Sequence, residues 1–223
     1  MSQFMNARKL AVSLAMFAVI AFGSAVVARA DQVVLQLNQG STLPDQPYGT
    51  VTLTLNGSGG IDVQISLLAG NRIVKTGFAA SVAFNSTSNV QIGVTGLDPD
   101  YALLNSGNPG DIGMNGFGEF EYGIAFLHNG GAAGTDSALT FTVTRAGGFL
   151  SVNELLELST NPPGSFESLF SIDIICGSCQ GATGIIGTGD PVQSVPEPAS
   201  MLLLGTGLFG AAAGIRQRRR KVQ

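Results

Sequence analysis

The chain has 223 residues, of which 44% are hydrophobic and 12% are charged, and its formal net charge is −4. The charge is unevenly distributed, because residues 31–194 contain three basic and fourteen acidic side chains, a formal charge of −11. The compensating Lys and Arg side chains lie in the two terminal segments. A body this acidic repels polyanions, which excludes nucleic acid and anionic lipid as its partners.

The N-terminal segment has the features of a secretory signal peptide. A short basic region precedes an apolar stretch over residues 10–27, and Ala28 and Ala30 form a small-x-small cleavage site before Asp31. We therefore predict a signal peptide over residues 1–30 that signal peptidase removes. The apolar stretch is long, so an uncleaved anchor remains the alternative.

The body, residues 31–190, is dominated by apolar residues that alternate with polar ones at period two, the pattern of half-buried strands. Turn-forming Gly and Asn residues separate the stretches. This pattern predicts a mainly β fold, an antiparallel β-sandwich that is jelly-roll-like. The eight predicted strands cover residues 33–37, 51–55, 61–67, 78–84, 90–94, 120–126, 139–143 and 170–174.

One short helix is predicted within this β body. Ser151 and Glu154 have the spacing of a capping box and lead into leucines at residues 155–158. An Asn-Pro-Pro-Gly sequence at residues 161–164 ends the predicted helix.

Cys176 and Cys179 are the only cysteines. In an exported protein they are expected to form a small disulfide at the end of the last strand. A redox-active pair would need a helix N-terminus to lower the thiol pKa, and a structural zinc would need four ligands. Neither alternative is favoured, because no helix is predicted there and His128 is the one other soft ligand.

The residues that catalysis would require are sparse. His128 is the sole histidine, and no Gly-x-Ser-x-Gly sequence accompanies it, so we expect a surface histidine. Glu119 and Glu121 lie two residues apart on one predicted strand, a spacing that leaves glycoside hydrolysis open as an alternative. A solvated strand face is the preferred interpretation. We therefore predict no enzymatic activity and no cofactor.

Asp98, Asp100 and Asp111 lie in the loop that is richest in oxygen ligands. Extracellular modules bind calcium weakly through such side chains, which makes this loop a weak calcium candidate. The spacing is not that of an EF-hand, and turn-forming Asp residues explain the same pattern.

The C-terminal tail, residues 191–223, combines three features. An apolar stretch over residues 199–215 would span about 25 Å as a helix, slightly less than a hydrocarbon core of about 30 Å. The basic residues within 216–221 would hold its end in the cytoplasm, so a transmembrane helix is favoured over a soluble one. The motif that precedes the apolar stretch is formed by Pro196, Glu197 and Pro198.

This arrangement of motif, apolar helix and Arg-rich end resembles the tripartite signal of PEP-CTERM proteins. The resemblance implies that an exosortase recognises the tail, cleaves near Pro196–Pro198 and releases the body to the cell envelope or extracellular matrix. Residues 118–186 also resemble the bodies of such proteins, which supports a β-sandwich and implies no activity.

These observations together predict a protein that is exported through the inner membrane, anchored there transiently and sorted to the cell surface or biofilm matrix. Its expected role is structural or in interaction, with signal peptidase and exosortase as processing partners. The alternatives are a module that binds exopolysaccharide or calcium and, further, a glycoside hydrolase-like enzyme.

Overall fold

The computed structural model describes residues 31–87, 91–105, 110–128, 137–164 and 166–189. These residues form thirteen strands and a 3₁₀ helix. The strands are β1 (Gln32–Gly40), β2 (Gly49–Leu55), β3 (Ile61–Leu67), β4 (Arg72–Ile73), β5 (Val82–Phe84), β6 (Ile92–Thr95), β7 (Tyr101–Asn105), β8 (Ile112–Met114), β9 (Gly118–Phe120), β10 (Tyr122–Phe126), β11 (Ala138–Arg145), β12 (Phe170–Cys176) and β13 (Ala182–Thr188).

Eleven of the strands form one antiparallel sheet. Their order is β6-β11-β3-β2-β1-β13-β12-β5-β10-β7, with β4 paired to β12 outside this path. The end strands β6 and β7 approach each other, so the sheet nearly closes on itself. The remaining two strands, β8 and β9, form a separate hairpin.

The interior of this curled sheet holds the main hydrophobic core. Phe84 on β5 lies 6.3 Å from Phe141 on β11, measured between ring centroids. Five strands separate β5 from β11 along the sheet, so this contact joins opposite walls across the core. The aromatic cluster extends to Phe170 and Tyr122, whose rings lie 5.3 and 5.8 Å from that of Phe84.

The prediction of a mainly antiparallel β fold is confirmed, and the facing walls give it a sandwich-like core. The hydrogen bonding differs from that of a two-sheet jelly roll, because β13 pairs with both β1 and β12 and joins the two halves into one sheet. β13 is not among the strands that the alternation predicts. The predicted strand over residues 120–126 also divides, since Phe120 ends β9 and Tyr122 begins β10.

A second, smaller core lies on the opposite face of the sheet. The β8–β9 hairpin supplies Ile112, Met114 and Phe117 to a cluster with Ala83 and Ile185, residues of β5 and β13. The ring of Phe117 rests directly on Gly187, where an added Cβ would come within 2.4 Å of it. As a result, β5 and β13 are covered on both faces.

The predicted helix is present only as a single 3₁₀ turn, Val152–Leu155. Ser151 is its N-cap and accepts a hydrogen bond from the Asn153 N–H, while the Glu154 carboxylate accepts one from the Leu150 N–H at 2.7 Å. The expected continuation through residue 158 is wrong. The chain instead extends to form a β-bridge between Thr160 and Glu119.

Among the described residues, no helix has the length and apolar character needed to cross a membrane. The predicted signal peptide over residues 1–30 and the predicted apolar helix over residues 199–215 lie outside the described residues.

Candidate functional site

The predicted calcium loop begins with a tight turn. Asp98 accepts a hydrogen bond from the Asp100 N–H at 2.8 Å, and its carbonyl accepts one from Tyr101 at the start of β7. Asp111 lies beside β8, in another part of the chain. In the portion of the chain that the structure describes, no three His, Cys, Asp or Glu side chains are arranged to hold a metal ion.

His128 lies on the surface at the end of β10. Its Nε2 atom is 3.3 Å from a carboxylate oxygen of Asp100, and both side chains are more than half exposed. The imidazole packs edge-on against Phe126, with 5.2 Å between ring centroids. This exposed position is the one expected for a surface histidine. A contact between two exposed side chains of this kind contributes little to stability.

The two glutamates that suggested hydrolysis have different environments. The Glu119 carboxylate accepts a hydrogen bond from the Asn161 side chain at 2.9 Å in a partly exposed position. Glu121 is buried, and its N–H donates to the Asn85 side chain at 2.7 Å. The expectation of a solvated face for this pair is therefore wrong at Glu121, because residues of the 154–160 segment cover the sheet here.

Burial raises the pKa of Glu121 above its ordinary value, and the nearby Glu157 raises this pKa further. A backbone hydrogen bond from Ser86 acts in the opposite direction. Buried acids with raised pKa values occur at active sites and also in structural networks. The surrounding Asn85 and Ser86 are structural partners, since their side chains donate to the Leu158 and Glu154 carbonyls.

Asp173 is a buried acid within the predicted strand over residues 170–174. It lies on β12 with no exposed surface, and its carboxylate accepts hydrogen bonds from the Thr76 N–H at 2.6 Å and the Thr76 hydroxyl at 2.7 Å. Burial raises the pKa of Asp173, although the Thr76 hydrogen bonds oppose this rise. The carboxylate thereby fixes the segment that follows β4 onto the sheet.

A disulfide joins Cys176 and Cys179 across the turn between β12 and β13. The predicted position at the end of the last strand is wrong, because β13 follows this turn. The Gln46 side chain donates to the Ser178 hydroxyl at 3.0 Å and thereby links the β1–β2 connection to the disulfide turn. The pair stabilises a hairpin, and the residues that the structure describes place no helix N-terminus beside it to activate a thiol.

The outer face of β1, β2, β3 and β11 is polar and rich in threonine. Cross-strand pairing aligns two rows of side chains on this face, which we call the threonine face. It encloses a trough of about 460 Å³, and Asp62 is the one charged side chain among the described residues that line it. The polar side chains that define the threonine face are Gln32, Thr52, Thr54, Asp62, Gln64, Thr140 and Thr142.

Two of the predicted site groups lie outside the described residues. They are the signal-peptide cleavage residues, Ala28 and Ala30, and the sorting motif, Pro196, Glu197 and Pro198.

Comparison with known families assigns the tail. A family model described as the PEP-CTERM protein-sorting motif matches residues 194–220. The chain therefore carries this motif, as its resemblance predicted, and the motif implies export and exosortase processing toward the cell envelope. Neither a search of curated proteins nor a search of solved structures found a match.

Proposed function

We propose that this protein is an exosortase substrate whose β body acts at the cell surface or in the biofilm matrix, in a structural or interaction role and without catalysis. The observation that carries the proposal is the sorting motif over residues 194–220. In this proposal the tail is a recognition and cleavage site for another enzyme, and Pro196, Glu197 and Pro198 are not catalytic residues.

The charge distribution supports the proposed route. In the proposed route the acidic body crosses the inner membrane. The basic residues at 216–221 favour retention of the C-terminal end on the cytoplasmic side. An apolar segment between these two parts acts as a transient inner-membrane anchor until exosortase separates the body from it. Signal peptidase removes the opposite end of the chain in the same scheme.

The placement of reactive side chains supports a non-enzymatic body. His128 is exposed and faces Asp100, while Asp173 is enclosed within the sheet and bound by Thr76. Glu119 is bound by Asn161 in a β-bridged segment. A hydrolase needs an acid and a nucleophile or base facing one cleft, and the contacts of these side chains are those of structural groups.

Replacement of Pro196, Glu197 and Pro198 by three alanines tests the proposed sorting in a host that contains an exosortase. We expect the variant to stay in the inner-membrane fraction with its tail attached, whereas the wild type is released. The matched control replaces residues 191–193, which lie just before the matched motif, by alanine and should be released normally. Unaltered release of the motif variant would contradict the proposal.

A further inference from the structure

The threonine face carries hydrogen bonds that orient its hydroxyl groups. Gln32 Nε2 donates to the Thr54 hydroxyl oxygen at 3.0 Å, and the Thr142 hydroxyl donates to Asp62 Oδ1 at 2.7 Å. Asn56 Nδ2 donates to the same Asp62 oxygen at 2.9 Å. The Thr54 hydroxyl hydrogen therefore stays available for donation, and the Thr142 oxygen stays available as an acceptor.

These groups lie in one cross-strand row. Gln32 is opposite Thr54, Thr54 is opposite Asp62, and Asp62 is opposite Thr142. Since neighbouring strands are about 4.8 Å apart, the row across four strands extends over about 14 Å. A second row, which contains Thr52 and Gln64, lies parallel to it. The face thus offers both a donor and acceptors along an extended line.

A sugar hydroxyl both donates and accepts a hydrogen bond, which is the combination that Thr54 and Thr142 present. The trough volume of about 460 Å³ lies within the usual range for ligand sites, about 300–1,000 Å³. Among the described residues that line the trough, Asp62 alone is charged, and the body is itself strongly acidic. An anionic polymer would be repelled from this face, whereas a neutral one would not.

From this geometry we infer that the threonine face binds a neutral, hydroxyl-rich polysaccharide chain laid across β1, β2, β3 and β11. The Asp62 carboxylate and the flanking Thr54 and Thr142 hydroxyls form the centre of the site. This inference deepens the interaction role proposed above and rests on the proposed export of the body.

The contacts expected here are hydrogen bonds. Phe141 is the one aromatic residue among the described residues that line the trough, and its side chain is buried in the core. Hydrogen bonds that replace contacts with water contribute modestly, so each sugar binds weakly. Binding is therefore best measured on a polymer, where many equivalent units compensate for low affinity.

The test uses the full-length chain in mild detergent and measures its retention on immobilised dextran, β-glucan and galactomannan, with alginate as the anionic comparison. The Thr54→Val/Thr142→Val variant removes two hydroxyl groups and keeps β-branched side chains suited to strands. Thr50→Val is the matched control, because Thr50 lies on the same face of β2 but outside the trough. Circular dichroism and thermal unfolding establish that each variant is folded.

We expect at least one neutral polysaccharide to retain the wild type, a loss of at least tenfold in the double variant and a change below twofold in Thr50→Val. Retention by alginate alone, equal retention of both variants or absence of retention would overturn the inference. Self-association that the double variant abolishes, without polysaccharide binding, would assign the face to a second copy of the chain. Release by exosortase is scored separately, so normal release without binding refutes only this inference.

Discussion

The contact between Phe117 and Gly187 holds the β8–β9 hairpin on the sheet, and it can be tested by adding one methyl group. A Cβ at Gly187 would lie 2.4 Å from one ring carbon of Phe117 and 2.7 Å from another, distances that require the ring to move. Gly187 does not have a left-handed backbone conformation, so alanine is acceptable to the backbone itself. The effect of Gly187→Ala is therefore steric.

Overpacking of this kind typically costs about 1–3 kcal/mol of unfolding free energy. For a domain of this size each kcal/mol lowers Tm by roughly 2–4 °C. Gly113→Ala is the matched control, because Gly113 lies on β8 in the same hairpin and an added Cβ would have no neighbour within 4 Å. Its effect should stay within about 0.5 kcal/mol.

Urea unfolding and thermal melting, both followed by circular dichroism, measure these differences. The cost of Gly187→Ala should fall when it is combined with Phe117→Leu, because the shorter side chain leaves room for the new methyl group. Equal stability of Gly187→Ala and Gly113→Ala would refute the packing of Phe117 on Gly187 in the second, smaller core. Strict additivity in the Gly187→Ala/Phe117→Leu variant would refute it as well.

Two further predictions concern the buried acid and the disulfide. Because the folded-state pKa of Asp173 is raised, the contribution of this carboxyl group to stability is greatest below its unfolded-state pKa of about 3.9 and is lost as pH rises through the folded-state value. The stability of Asp173→Asn relative to the wild type, measured by urea unfolding, should therefore increase between pH 4 and pH 7. A constant difference over this range would contradict the prediction. Cys176→Ser/Cys179→Ser opens a loop of four residues, for which chain entropy predicts a loss of about 2 kcal/mol of unfolding free energy. Reduction of the wild type should give a similar loss, and an unchanged midpoint in both experiments would refute this prediction.

The sequence predicted best those strands that have one polar face. β2, β3 and β11 alternate because one side chain in two points to solvent from the threonine face and the next is buried. Such a pattern is visible without knowledge of the tertiary structure. The turn at Asn56 was also predictable, since its side chain accepts hydrogen bonds from the N–H groups of Ser58 and Gly60.

Strands buried on both faces were harder to predict. β13 contains adjacent Ile185 and Ile186 between two glycines and has no polar side to alternate with. Gly184 and Gly187 interrupt any alternation of apolar and polar residues, and they allow the close approach of Leu43 and Phe117. Neither requirement can be inferred from local pattern, because both arise from residues distant in the chain.

The same limit applies to the buried acids. Asp173 alternates with apolar residues, a pattern typical of a solvated face, but the segment that contains Thr76 covers it. Glu121 was misinterpreted for the same reason. The sorting motif, by contrast, could be predicted from local sequence, because it is a linear motif with flanking apolar and basic residues.

The most direct test of the account is the intact mass of the protein recovered outside the cell from a host with an exosortase. We predict a chain that begins at Asp31, ends near Pro196–Pro198 and contains the Cys176–Cys179 disulfide. A released chain that still carries the basic residues at 216–221 would contradict exosortase sorting.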